Sequence, residues 1–175
     1  MNPIEFQNTR LKCILKNKKF ISIFDNLTGK ALKFKLENIF IPFGAELYND
    51  KYVVNLEFEK TNNTHNNYIS VIQSLEKNIM NNNFETEINV NGSIINKKFF
   101  TSIKDSKLGY ILRTHLTKTT EIFILKKNDT KFDLDKENLK GVNANIEIGL
   151  KGMWINDESY GFYWNINSIQ VTKFN

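Results

Sequence analysis

The sequence predicts a mainly β protein carrying one packed helix, and three observations lead there. The first is the stretch from Asn145 to Phe174. Ile146, Ile148, Leu150, Gly152 and Trp154 fall at every second position, and Tyr160, Phe162, Trp164 and Ile166 repeat the pattern after the polar turn Asn156-Asp157-Glu158-Ser159. Period-two alternation in two runs bounded by turn residues is the pattern of a half-buried antiparallel hairpin. The second is that shorter runs of the same kind recur along most of the chain, separated by polar turns. The third is a single change of period. Tyr68, Ile72, Leu75 and Ile79, widened by Ile69, Val71 and Met80, line one helical stripe over about 68–82.

Taken in order, Leu11, Cys13 and Leu15 oppose Arg10, Lys12 and Lys16 in a first strand within Ile4–Asn17, and Lys18-Lys19 turns the chain into the apolar strand Phe20–Phe24. Asp25–Gly29 is a turn by composition. Leu32, Phe34 and Leu36 then alternate with Lys33, Lys35 and Glu37, giving one apolar and one mainly basic face. Ile39–Gly44 is interrupted by Pro42, which cannot donate to a ladder, so an edge or loop is expected there. Tyr52, Val54, Leu56 and Phe58 share one face of the next strand, and Thr61–Asn67 reads as a polar loop before the helix, which Asn81-Asn82-Asn83 ends.

Phe84–Val90 and Ser93–Ile103 are less distinct, but Asn91-Gly92 is a two-residue hairpin signal. Tyr110, Leu112, Thr114 and Leu116 face one side of a strand, and Thr120–Leu125 forms another. Asn128-Asp129-Thr130 turns the chain, and Lys131–Gly141 is charged and loop-like. In the terminal hairpin both tryptophans are in phase with the apolar face, so it is expected to anchor the core, with Lys151, Met153 and Tyr163 on the opposite face. Ile169 and Val171 shift the phase, which one extra residue near Asn167-Ser168 explains as a β-bulge. Nine or ten strands with one helix, joined mostly as hairpins, point to a Greek-key barrel of the oligonucleotide/oligosaccharide-binding (OB) kind, elaborated with extra strands. A jelly roll or sandwich is the second arrangement.

At 175 residues, 41% apolar and 13% aromatic, the chain is expected to form one domain, 1–175, with a sizeable core. No run approaches the roughly 18 apolar residues that span a bilayer, and Met1–Glu5 lacks the basic and apolar regions of a signal peptide. Cys13 alone forms no internal disulfide. The expectation is a soluble intracellular protein with no membrane partner. A net charge of +5 favours a polyanionic partner. Lysine and asparagine abound while arginine occurs only as Arg10 and Arg113, a bias that an AT-rich coding sequence produces as well.

Catalytic chemistry finds little support. His65 and His115 are the only histidines, there is no Gly-x-Ser-x-Gly elbow, and Cys13 lies in an apolar run. Neither a phosphate-cradling glycine loop nor a zinc ligand set occurs. Asp133, Asp135 and Glu137 point the same way if extended, as magnesium ligands of a nuclease do, but with Lys131, Lys136 and Lys140 beside them they read as a solvated charge cluster. No enzymatic activity, metal or other cofactor is therefore expected.

Binding a single-stranded nucleic acid asks for less: cations along a path and rings on which bases stack. Lys97, Lys98, Lys104, Lys107 and Arg113 surround Phe99, Phe100 and Tyr110. Tyr163 is the best stacking candidate, being out of phase with its apolar neighbours. The expected site comprises Lys33, Lys35, Lys98, Lys104, Lys107, Arg113 and Lys151 on phosphates, with Tyr110 and Tyr163 on bases. DNA is the expected partner, with RNA left open. The competing reading is a structural, virion-associated β-sandwich whose charge is incidental. An edge strand near Ile39–Phe43 is a candidate contact between copies.

Phe43-Gly44, the strand Lys51–Leu56, the helix Tyr68–Met80 and the C-terminal Gly152-Met153-Trp154-Ile155, Tyr160-Gly161-Phe162-Tyr163-Trp164 and Ile169-Gln170-Val171 occur in that order. This layout, over about Leu32–Val171, resembles a family of small proteins from nucleocytoplasmic large DNA viruses, similar in outline to OB-fold single-stranded DNA-binding proteins of phages. The resemblance implies a viral replication or recombination factor that coats exposed single strands in the infected host cell, with replication proteins as candidate partners. Phage relatives commonly end in an acidic tail that contacts such partners. This sequence ends Val171-Thr172-Lys173-Phe174-Asn175, so recruitment or autoinhibition by a tail is not expected of it.

Overall fold

A computed structural model describes residues 11–17, 19–25, 27–83, 97–107, 109–124 and 139–174. The Asn91-Gly92 and Asn128–Thr130 turns and the acidic trio Asp133, Asp135 and Glu137 lie outside the described residues. The elements are β1 (Leu11–Asn17), β2 (Phe20–Asp25), β3 (Leu32–Ile41), β4 (Ala45–Tyr48), β5 (Lys51–Phe58), α1 (Asn63–Asn83), β6 (Lys98–Phe100), β7 (Ile103–Asp105), β8 (Tyr110–Ile124), β9 (Val142–Ile155) and β10 (Ser159–Phe174).

Five of these strands close on themselves. β3 pairs with β9, β9 with β10, β10 with β8 in parallel and β8 with β5, and β5 returns to β3 through Phe40 and Glu57. The result is an OB-like β barrel with, among the described residues, one helix, as the sequence pattern indicates. The hairpin β1–β2 extends the sheet from the Trp154 end of β9, while β6, β7 and β4 are short additions to β10, β8 and β5. Period-two alternation sends Leu32, Phe34, Leu36, Val54, Leu56, Phe58, Leu112, Ile146, Ile148 and Ile166 inward, and Lys33, Lys35 and Arg113 outward. Trp164, 1% exposed, meets Phe34 edge-on at 5.7 Å and donates its indole N–H to Ser102 Oγ at 2.9 Å.

Helix α1 packs Ile69, Ile72, Leu75 and Ile79 into this core. It begins at Asn63, five residues before the start of its apolar stripe, because Asn62 Oδ1 accepts the amides of Thr64 and His65 and satisfies the first turn. Glu76, 3% exposed, lies among the buried residues of the helix; it accepts the Ser102 amide at 3.2 Å and the Thr101 hydroxyl at 3.3 Å. Burial pushes its carboxyl above the usual carboxylate range, against the pull of those bonds.

Two expectations need correction. Ile39–Ile41 is not a free edge: it continues β3, pairs with β9, and at Phe40 also with β5. Pro42 follows the last pair, so its missing N–H removes no ladder bond. An unpaired edge is left instead on β4, which among the described residues pairs with β5 alone, as it is on β1, β6 and β7. The second correction concerns β9. The bulge expected near Asn167-Ser168 is present, between Ile166 and Ser168, but a further one lies opposite Tyr163-Trp164, where Gly152 and Leu150 are the partners and Lys151 is the extra residue. The phase flips there. Met153 turns in, 1% exposed, and Trp154 turns out to share the face of Tyr163. Gly152 permits this tight crossing, since a Cβ on it would lie 2.1 Å from the Ile21 carbonyl oxygen.

Candidate nucleic-acid interface

Directly opposed residues on neighbouring strands share a face, so the registers define what the outside of the barrel presents. One row runs Lys33 on β3, Gly149 on β9, Asn165 on β10, His115 on β8 and Val53 on β5. A second, one step along, sets Tyr163 against Gly152 and Ser22. A third sets Gly161 against Trp154, Phe20 and Phe100. Arg113 and Asn55 form a fourth, beside His115.

The centre of this face is a stack of two rings. His115 and Tyr163 lie 4.1 Å apart between centroids with planes 14° from parallel. Phe20 meets Tyr163 edge-on at 6.2 Å, and Lys51 Nζ stands 5.3 Å from the tyrosine ring centre. Next to them the Arg113 guanidinium covers the Tyr48 ring at 5.4 Å. Tyr48 and Lys51 flank the turn of the β4–β5 hairpin, where Asn49 (φ 48°) and Asp50 (φ 59°) both take the left-handed conformation of a two-residue hairpin loop. Tyr48 is 58% exposed. Burial holds the His115 imidazole below its usual range, aided by the cations Lys51 and Arg113, while Nδ1, 3.4 Å from the Trp164 carbonyl oxygen, pulls the other way. A half-buried stack with cations at its rim suits a planar, negatively tethered group such as a nucleobase on its phosphate backbone.

Of the residues singled out in the sequence, Tyr163 and Arg113 come together here. Lys33 and Lys35 lie outward on β3, but Lys33 is paired with Glu147 at 2.9 Å, and both lysines hold that carboxylate below its ordinary range. Lys151 projects from the β9 bulge, exposed. Lys98 stands 5.5 Å from the centre of the Phe100 ring on β6. Lys104, opposite Ile111, extends the Arg113 side of the face, and exposed Lys107 lies in the following loop. Tyr110 does not join them. It packs half-buried against the core at the start of β8, under Lys60 at 5.2 Å, about 17 Å of strand from His115. Phe20, Tyr48, Lys51, His115 and Trp154 complete the face without having been assigned to it from sequence. Phe99, grouped with those cations, faces inward onto Tyr160 and Phe162. The described residues contain no group of three or more His, Cys, Asp or Glu side chains able to hold a metal ion.

No protein-family model and no curated protein matches this chain. Solved structures do. The single-stranded DNA-binding protein of bacteriophage Enc34 in complex with single-stranded DNA is 14% identical with a TM-score of 0.59, over 95% of this chain and 97% of that one. A C-terminal truncation of the Enc34 protein gives 15% and 0.60 over 95% and 96%. The single-stranded DNA-binding protein gp2.5 of bacteriophage T7 gives 9% and 0.57 over 82% and 92%. At these identities the likeness is one of fold.

Proposed function

We propose that this chain is a non-catalytic, sequence-tolerant single-stranded DNA-binding protein, acting intracellularly in viral DNA replication or recombination, as the resemblance to proteins of nucleocytoplasmic large DNA viruses suggests. The observation that carries the reading is the His115–Tyr163 stack ringed by Lys51 and Arg113 on the outside of the barrel. That its structural neighbours are phage single-stranded DNA-binding proteins supports it. Bases stack on the rings whatever their sequence, because every base has a π face, and phosphates lie along the cations. The test is fluorescence anisotropy with a labelled oligothymidine at low and moderate salt. Binding that weakens linearly in log salt is expected, through counterion release. Absence of binding at low salt leaves the virion-associated structural protein as the surviving reading. An oligouridine titrated in parallel decides whether RNA is also a ligand.

A further inference from the structure

A second ring cluster lies on the same face. Past the Lys151 bulge, Trp154 emerges directly across from Gly161, and its indole covers that glycine: a Cβ there would sit 2.8 Å from the indole Cζ2 and 3.0 Å from the Phe100 carbonyl oxygen. Phe100, on the neighbouring strand, is 41% exposed and tilts 41° against the indole at 6.1 Å. Lys98 leans over Phe100, and the adjacent Lys97 ammonium binds the carbonyls of Asn156 and Asp157, fixing β6 to the β9–β10 turn.

This arrangement has parts like those of the central stack, two rings with a cation at the rim, but here the rings come from β9 and β6 on either side of β10 and meet across Gly161. Gly161 and Tyr163 are two residues apart on β10, so the clusters are offset by about 7 Å along the strand. Phe20 lies between, opposite Trp154 in register and edge-on to Tyr163. A purely structural pair would be expected to bury its rings. Here Phe100 keeps 41% of its surface exposed and Trp154 is only half-buried, its indole lying against the strand where glycine takes the place of a side chain.

We propose that Trp154 and Phe100, with Lys98, form a second base-stacking station for the same single strand, holding a nucleobase other than the one at Tyr163 and His115. The inference rests on the single-strand reading above, and its test separates the two. Trp164 is buried, so quenching of tryptophan emission by a bound oligothymidine reports Trp154. Emission and the anisotropy of a labelled oligothymidine are measured in one titration for the wild type and for Trp154→Phe and Phe100→Ala. The expected result is quenching that saturates together with binding, loss of that quenching in Trp154→Phe, and about tenfold weaker binding in Phe100→Ala, whose side chain is exposed enough to remove without unfolding. Binding with unchanged emission, or Phe100→Ala binding at wild-type affinity, overturns the second station and leaves the first intact. Absence of any binding overturns both.

Discussion

Replacing Tyr163 by alanine removes the ring at the centre of the outward face and changes no charge. The structure sets two separate costs. Within the protein, the side chain stacks on His115 at 4.1 Å, touches Phe20 edge-on, and lies beneath Lys51. Aromatic pairs contribute about 0.5–1.5 kcal/mol beyond area burial, and this ring is half-buried, so a stability loss near 2 kcal/mol is expected by urea denaturation. Binding is the second cost. If one base stacks at this station, about 1–3 kcal/mol is lost, or roughly 5- to 150-fold in Kd for oligothymidine. Because no phosphate contact disappears, the slope of log K against log salt stays as in wild type. Tyr163→Phe keeps the ring and retains wild-type affinity. Anisotropy titrations at several salt concentrations, well below the unfolding midpoint of each variant, read both the affinity and its salt slope. An alanine variant that binds as tightly as wild type, or one whose salt slope drops, refutes the stacking role.

Arg113→Gln and Lys51→Gln are each expected to lower that slope by about 0.7, one phosphate contact to a single strand, while Lys33→Gln leaves it nearly unchanged because Glu147 already neutralises Lys33. Glu76→Gln is expected to stabilise the fold by about 1 kcal/mol at neutral pH, since the amide keeps an acceptor for the Ser102 N–H without a desolvated charge. The sign follows from the raised carboxyl: its favourable contribution is complete below the unfolded value, near 4.5, and is lost as pH rises through the folded one. Thermal melts should show the gap between wild type and Glu76→Gln closing in mild acid; a gap that widens there contradicts the assignment. Gly152→Ala forces a methyl to 2.1 Å from the Ile21 carbonyl oxygen, and a loss of about 3 kcal/mol in urea unfolding is expected as the β2–β9 pairing gives way.

Much of this architecture is legible in the residue pattern, and where it is not the reasons are local. The β9–β10 hairpin and its bulge at Asn167-Ser168 follow from apolar residues changing parity between Ile166 and Ile169. The bulge at Lys151 leaves a weaker trace, because Leu150, Met153, Trp154 and Ile155 are apolar at both parities and no alternation remains to read. That ambiguity placed Trp154 on the wrong face. Helix α1 starts early because its first turn is built of polar residues that periodicity ignores and an asparagine cap decides. Tyr163 stands out in the sequence by being out of phase. Phe20 does not, since Phe20, Ile21, Ile23 and Phe24 are apolar at both parities, and Tyr48 and Lys51 depend on a turn whose left-handed residues are Asn49 and Asp50, with no glycine to mark it. The His115–Tyr163 stack joins β8 to β10 through a parallel pairing, which no local pattern announces.

Photocrosslinking tests most directly where the strand lies. An oligothymidine carrying 5-iodouracil, irradiated in complex with the protein and mapped by peptide mass spectrometry, should give adducts at Tyr163, His115 or Tyr48 on the outward face of β4, β8 and β10. Adducts confined to helix α1 or to the outer surface of β3, with those rings unmodified, would contradict the account.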